Sequence, residues 1–417
     1  MPTAPTDRPQ CPVAHLDLLD ADTFADGVPH AAFREVRDAQ PVFWFPQPGA
    51  HGGGFWVITR LADVQEVSRL PEVFSSAQRG ALFSLGTSVE EDAGLELTRT
   101  LMLNMDAPEH GHLRNIVSRA FTPRVIRGLE ARLAQITNEI VDRALARGEG
   151  DFVRDVSAEL PLIAICELMG IPEQDRQLIF DWTNRLVGFD DPEMTSSPED
   201  GELAMGEMYL YANELAEKRQ AEPQSDIVTT LLQADVNGDK LSVEEFDMFF
   251  LMLCVAGNET TRNAISHGMR AFFEHPDQWE LFTRERPLET AVDEILRWAT
   301  PVIEFQRTAT QDHVLGGQQV RAGERVVLYY PSANRDDSVI EDPDRFDITR
   351  TDNDHVAFGG GGPHFCLGAQ LARAEIRLVF DTLADRVPGI APTAPARTLR
   401  SMFLDGIKEM PVRYAPA

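Results

Sequence analysis

Cys366 closes the run Phe358-Gly-Gly-Gly-Gly-Pro-His364-Phe-Cys366-Leu-Gly368, a glycine-rich loop that carries one sulfur to the start of a helix. Downstream, Leu371, Ala372, Ile376, Val379, Phe380 and Leu383 recur at helical spacing. That pattern predicts a core-facing helix beginning at or just after Cys366. A thiol placed there meets the positive end of the helix and unpaired backbone N–H groups, and both favour thiolate. Four glycines carry no Cβ, so the backbone ahead of the cysteine can lie flat against a large planar partner. Cysteine thiolate is one of the few protein ligands that hold haem iron while pushing electron density toward bound oxygen. Haem-thiolate chemistry is therefore the leading reading. Plainer readings compete on the loop alone: a small buried hydrophobe, or a merely flexible turn. A Cys/His nucleophile is weaker, because His364 lies two residues away and catalytic bases usually come from elsewhere in the fold.

A second candidate sits in a long helix predicted from Ser242 to about Glu274, ended by His275-Pro276. Its length of roughly 50 Å would cross a whole domain, and its first half is apolar nearly all round, which implies burial. In its middle stands Ala256-Gly257-Asn258-Glu259-Thr260-Thr261. Gly257 and the threonines weaken the helical ladder, so a local opening is expected there. Glu259 and Thr260 together could relay protons, the carboxylate from solvent and the hydroxyl to a bound ligand. The plainer alternative is that Thr260 caps a backbone carbonyl and Glu259 pairs with an arginine. His110 and Arg114 share one helical face in an HxxxR spacing and can both donate to carboxylates. Glu294 and Arg297 form an ExxR pair, which Arg345 of Pro343-Asp-Arg345-Phe346 is expected to join. Such charges suit a fold-locking network better than catalysis.

Elements able to position these groups follow from the rest of the chain. Residues 1–25 read as an irregular N-terminal arm, ahead of one large domain over 26–417. Val42–Phe45 and Phe55–Ile58 read as a hairpin. Helical patterns dominate from about 60 to 300, strand character returns near 313–330, and a terminal strand region follows near 401–414. The expectation is a mainly α protein with small β-sheets. Asp235 to Phe246 resembles a calcium loop but has Lys240 at the glycine position and Phe246 at the glutamate position, so a turn capped by Ser242 and Glu245 is preferred.

Bulk properties exclude several classes. With 43% apolar residues the 417-residue chain can fill a substantial core. A net charge of −29 argues against nucleic acid as a partner. The longest near-apolar run, 248–256, is too short to span a membrane, and no secretion signal opens the chain, so a soluble cytoplasmic monomer is expected. Cys11, Cys166, Cys254 and Cys366 are too scattered for a disulfide framework or zinc knuckle. Against the acidic background, Arg114, Arg119, Arg124, Arg127 and Arg132 are opposed only by Glu130. That stretch reads either as a solvated helix face or as a dock for an acidic electron carrier.

HxxxR, the Ala256–Thr261 segment, ExxR and the cysteine loop occur in the order found in the cytochrome P-450 family, which the chain resembles over essentially its whole length. The resemblance implies the cytochrome P-450 fold, haem b as cofactor and a monooxygenase reaction using O2. Cys366 would be the axial metal ligand, and His110, Arg114, Arg307 and His364 would anchor the propionates. Gly257 and Phe358 would border the haem, Glu259 and Thr260 would supply protons, and Glu294, Arg297 and Arg345 would hold the structure behind it. One departure concerns Phe358, which lies eight residues before the cysteine; the family usually places its aromatic seven before, where Gly359 stands. With no fused flavin or iron–sulfur segment, an external ferredoxin and ferredoxin reductase are the expected electron donors.

Family precedent for substrate contacts points to Phe83, Leu85, Leu186, Phe189, Val302, Ile303, Met402, Phe403 and Leu404. All are apolar, so a hydrophobic small-molecule substrate is expected. Phe189–Glu193, the Gly359–His364 loop and Gly406–Pro411 look similar to actinobacterial members that oxidise methyl-branched lipids, isoprenoid chains and sterol side chains. Terpene or macrolide tailoring is the alternative substrate class. A non-oxygenating haem sensor, or an enzyme using peroxide directly, is the alternative function class, and either would have little use for Glu259 and Thr260.

Overall fold

The protein was analysed as a computed structural model, which describes residues 8–83, 95–96, 98–187, 190–194, 197–234 and 241–416. Its helices are α1 (His30–Ala39), α2 (Leu61–Arg69), α3 (Glu109–Val117), α4 (Pro123–Arg147), α5 (Glu159–Met169), α6 (Arg176–Val187), α7 (Pro198–Ala221) and α8 (Ile227–Leu232). There follow α9 (Val243–Glu274), α10 (Pro276–Glu285), α11 (Leu288–Ala299), the single turn α12 (Tyr330–Ala333) and α13 (Ala369–Arg386).

The long helix forms where its sequence says it should. Ser242 accepts the Glu245 N–H at 3.1 Å while Glu245 takes the Ser242 N–H at 2.8 Å, which starts α9 with both ends of a capping box closed. His275 ends it ahead of Pro276, whose missing N–H cannot continue the ladder. Between them α9 runs unbroken, so the local opening expected near Gly257 does not occur. Most of its residues are buried in the largest apolar cluster, which α4, α5, α7, α11 and α13 share with it. Of the calcium-loop look-alike, Asp235 to Phe246, the first half, 235–240, lies outside the described residues.

Strands β1 (Val42–Pro46) and β2 (Gly54–Ile58) form the expected hairpin, with Trp44 opposite Trp56 and Phe45 opposite Phe55. They belong to a five-stranded sheet completed by β3 (Phe74–Ser75), β5 (Glu304–Ala309) and β8 (Arg325–Tyr329), in the order β1-β2-β8-β5-β3. Only the β2–β8 pairing is parallel. β5 was not expected, because Glu-Phe-Gln-Arg-Thr-Ala has too few apolar residues to read as a strand. Its polar groups are spent internally: Gln306 donates to the carbonyls of Arg79 (3.1 Å) and Leu82 (2.9 Å). Smaller sheets are built from β4 (Glu149–Asp151), β9 (Ala391–Pro392) and β12 (Pro411–Arg413), from β6 (His313–Leu315) and β7 (Gln318–Val320), and from β10 (Arg397–Thr398) and β11 (Ile407–Glu409).

Residues 8–25 contain only a short 3-10 turn, Ala21–Phe24, yet they are packed rather than loose. The Pro9 carbonyl accepts the Trp44 N–H at 2.7 Å, and the Arg8 guanidinium lies 3.7 Å from the centre of the Trp44 ring. Leu16, Leu18 and Phe24 are buried.

Candidate active site

Three short hydrogen bonds shape the cysteine loop: Gly359 N–H to Val356 O (2.9 Å), Phe365 N–H to Gly362 O (3.3 Å) and Cys366 N–H to Phe358 O (3.0 Å). Gly359, Gly361 and Gly362 have φ of 97°, 94° and 72°, values that side chains resist. A second reason for glycine adds to the one expected. A Cβ on Gly360 would lie 2.6 Å from Ser68 Oγ, and one on Gly362 would lie 2.0 Å from the Ser68 carbonyl. One side of the run is therefore moulded onto the end of α2.

Cys366 stands three residues ahead of α13, and the N–H groups of Gly368 and Ala369 point at its sulfur. Burial pushes the thiol up, while those two N–H groups and the charges of Arg114 and Arg373 pull it down. The helix end acts in the expected direction, burial outweighs it, and a metal cation on the sulfur is what would remove the proton outright. Cys366 nevertheless keeps an exposed face although protein surrounds it closely. Its accessible surface thus opens on an interior cleft.

On α9 there is an accessible stripe in an otherwise buried stretch: Ala256 is exposed, and Met252 and Thr260 are half-buried. Thr260 Oγ donates to the Ala256 carbonyl at 2.7 Å. Glu259 points elsewhere. It is fully buried and paired with Arg262, which also donates to Asn184 of α6 at 3.1 Å. Both plainer contacts weighed from the sequence are present, and no hydrogen bond among the described residues joins Glu259 to Thr260. Burial raises the Glu259 carboxyl above its ordinary range, with Arg262 pulling it back. At Gly257 the direction a side chain would take is filled by Ile165 of α5, 2.6 Å from an added Cβ. That packing is reason enough for the glycine.

His110, Arg114, Arg307 and His364 come together from α3, β5 and the cysteine loop. The His110 and His364 rings lie 4.2 Å apart, centre to centre. His364 Nε2 is 3.1 Å from Ser76 Oγ, a partner that nothing in the sequence pattern singled out. Arg114 donates to the Phe365 carbonyl at 2.5 Å and Arg307 to the Gln306 carbonyl at 2.6 Å. The nearby carboxylate, Asp106, is held by Ser75 and by the Ser76 N–H. His110 Nε2 is buried with no hydrogen-bond partner. Burial first, then the arginine charges, depress His110 to about 4 and His364 to about 2. Four donors, a surplus of positive charge and an orphaned ring nitrogen are what two propionates would satisfy. Together with the accessible Cys366 sulfur, the residues present fit a haem.

Behind the loop, Arg297 and Glu294 are wholly buried and paired twice, at 2.7 and 2.8 Å. Arg297 also donates to the carbonyls of Asn334 (2.9 Å) and Pro343 (2.8 Å), and Glu294 accepts from the Asp347 N–H at 2.9 Å and from Asn353 at 3.1 Å. The expected third member, Arg345, instead holds its side chain 63% exposed and faces Asp347 at 3.7 Å. Arg350 takes that place, 11% exposed and 3.4 Å from Glu294. Phe358 lies against the guanidinium of Arg373, 4.5 Å from the ring centre.

Of the candidate substrate contacts, Phe83 and Ile303 share one apolar cluster with Met402 at its edge. Val302 bridges to Leu404, Ile303 N–H reaches the Phe403 carbonyl at 2.8 Å, and Met402 N–H reaches Asp190 at 3.1 Å. Three distant sequence regions therefore converge. Leu186 is half-buried on α6, and Leu85 and Phe189 lie outside the described residues.

A helix-dominated fold with an exposed cysteine ahead of α13 and a cluster of four donors beside its loop defines a haem-thiolate protein. A family model described as Cytochrome P450 matches residues 286–386. The steroid C26-monooxygenase of Rhodococcus jostii is 50% identical over 405 residues, covering 96% of this chain and 85% of that one. The methyl-branched lipid omega-hydroxylase of Mycobacterium tuberculosis is 41% identical over 423 residues, covering 98% and 97%. A solved Mycobacterium marinum cytochrome P450, CYP268A2 in complex with pseudoionone, gives a TM-score of 0.90 at 37% identity, covering 98% and 100%. The chain belongs to the cytochrome P450 family. It is a monooxygenase with protoporphyrin IX iron as its cofactor, acting with O2 and redox partners on a hydrophobic substrate. Among the described residues no helix is long and apolar enough to cross a membrane.

Proposed function

We propose that this P450 hydroxylates the end of a methyl-branched chain, on a sterol side chain, an isoprenoid or a branched fatty acid. The single observation that carries the reading is the paired likeness above: a steroid C26-monooxygenase and a methyl-branched lipid omega-hydroxylase at 50% and 41% identity across nearly the whole chain. A steroid's C26 is itself a terminal carbon of a branched side chain, so both names describe one kind of target. The apolar convergence of Phe83, Ile303, Met402 and Phe403 supports a hydrocarbon ligand.

Each side chain then has a task. Cys366 holds the haem, which when bound supplies oxygen activation with electron donation from the sulfur. His110, Arg114, Arg307 and His364 hold its carboxylates, and Gly257 and Phe358 border it. Thr260 Oγ, facing the cleft, holds a proton within reach of the reacting position, and Glu259 reloads it by turning from Arg262. A carboxyl already raised by burial takes up that proton more readily than an exposed one. Electrons come from an external ferredoxin and its reductase, in the cytoplasm, to a monomer. Arg119, Arg124 and Arg127 are exposed and offer the ferredoxin a basic dock.

The test is to titrate ferric protein with sterols, branched fatty acids and unbranched controls, then to assay turnover for product and leaked peroxide with and without Thr260→Ala. Terminally hydroxylated branched product, with peroxide rising several-fold in the variant, is expected. Equal binding of unbranched chains, or unchanged coupling in Thr260→Ala, would refute the substrate reading and the proton reading respectively.

A further inference from the structure

Arg373 lies seven residues beyond Cys366 on α13, and its guanidinium covers the ring of Phe358. Phe358 is the residue whose carbonyl accepts the Cys366 N–H. From the other side, Arg373 Nε donates to Asp293 Oδ1 of α11 at 3.0 Å. The same oxygen lies 3.5 Å from Nε2 of buried His355. His355 Nδ1 accepts the Ala357 N–H at 3.2 Å, which leaves Nε2 to face Asp293 as the donor. A fixed positive charge is therefore clamped between α11, α13 and the cysteine loop. It acts on the Cys366 thiol in the direction that favours the anion. None of these groups belongs to the propionate cluster, the proton pair or the Glu294–Arg297 network.

We propose that Arg373 is a positioning residue for the axial ligand: clamped by Asp293 and His355 and stacked on Phe358, its charge sets how much electron density the Cys366 sulfur yields to iron. The inference rests on the haem-thiolate assignment. A cation beside the sulfur stabilises negative charge there, so it favours the ferrous state, into which one more electron has been placed. Removing the cation leaves Asp293 uncompensated and favours the ferric state; removing the Asp293 charge leaves Arg373 uncompensated and does the reverse. Arg373 is 31% exposed and Asp293 39%, so solvent screens part of the effect. The expected shift is about tenfold in the ferric–ferrous equilibrium, about 59 mV for a one-electron couple.

The experiment is a potentiometric titration of haem-loaded wild type, Arg373→Gln, Arg373→Lys and Asp293→Asn, each first checked for a strongly red-shifted Soret band in its reduced carbonyl complex. Arg373→Gln should lower the potential, Asp293→Asn should raise it, and Arg373→Lys should stay near wild type. Shifts of the same sign in the Gln and Asn variants, or none in proteins that keep the red-shifted band, would overturn the proposal, since general loosening of the loop cannot move the potential both ways. If Arg373→Gln loses haem, Asp293→Asn decides alone: a potential not above wild type overturns it. A wild-type protein lacking the red-shifted band would instead overturn the haem-thiolate assignment itself.

Discussion

Replacing Arg350 by alanine should destabilise the protein far more than replacing Arg345, although the order of residues in the sequence suggests the reverse. Arg350 is 11% exposed, stands 3.4 Å from Glu294, and donates to the carbonyls of Glu341 (2.6 Å), Asp342 (3.2 Å) and Arg345 (3.1 Å). Hydrogen bonds from a charged donor contribute roughly 1–3 kcal/mol each, and removing one partner of a buried pair costs about 3–5 kcal/mol. Glu294 keeps its two bonds to Arg297, so the second figure is an upper bound and about 2–4 kcal/mol is expected for Arg350→Ala. Arg345 is 63% exposed with an ion pair at 3.7 Å, which puts Arg345→Ala within about 0–1 kcal/mol. The assay is guanidinium unfolding of the haem-loaded proteins by circular dichroism, at matched protein and haem concentrations because bound haem stabilises by mass action. Equal midpoints for the two variants, or a larger loss for Arg345→Ala, would refute the assignment of Arg350 to the buried network.

Two further outcomes follow from charge. In haem-free protein His110 and His364 stay neutral down to about 4 and about 2, while in the unfolded chain they protonate near 6.5. Below 6.5 the unfolded state therefore binds more protons, and stability should fall as pH drops toward 4. Haem carboxylates would raise both folded values, so the fall should be shallower in loaded protein; identical pH profiles of the denaturation midpoint would remove the propionate assignment. Charge reversal at Arg119 or Arg127 should slow reduction by an acidic ferredoxin and flatten its salt dependence, and unchanged transfer rates would exclude that dock.

Much of this architecture could be read from local pattern. The hairpin announced itself through Trp44, Trp56 and their aromatic neighbours, and α9 through its capping box and terminal proline, because each depends on residues close in sequence. β5 escaped notice because buried partners, not apolar side chains, satisfy Gln306 and its neighbours. Arg350 was passed over for Arg345 because only tertiary contact distinguishes two arginines five residues apart. The seating of the glycine run on α2 is not legible in the sequence for the same reason: Ser68 lies almost three hundred residues earlier. Arg373 could have been noticed, since it follows Cys366 by seven residues and falls in the second turn of α13. The desolvation that opposes the helix end at Cys366 is not legible in the sequence, because it depends on the whole surrounding fold.

The seating of Gly360 and Gly362 against Val64 and Ser68 means that the loop is not a portable part. Its height above the core is gauged from α2, whose first N–H is in turn fastened to Asp336 at 2.9 Å. A chimera that imports residues 356–368 from a relative while keeping the native 61–69 would seat the incoming loop on a mismatched bed. Swapping both segments together is the smallest exchange that preserves the register of the sulfur.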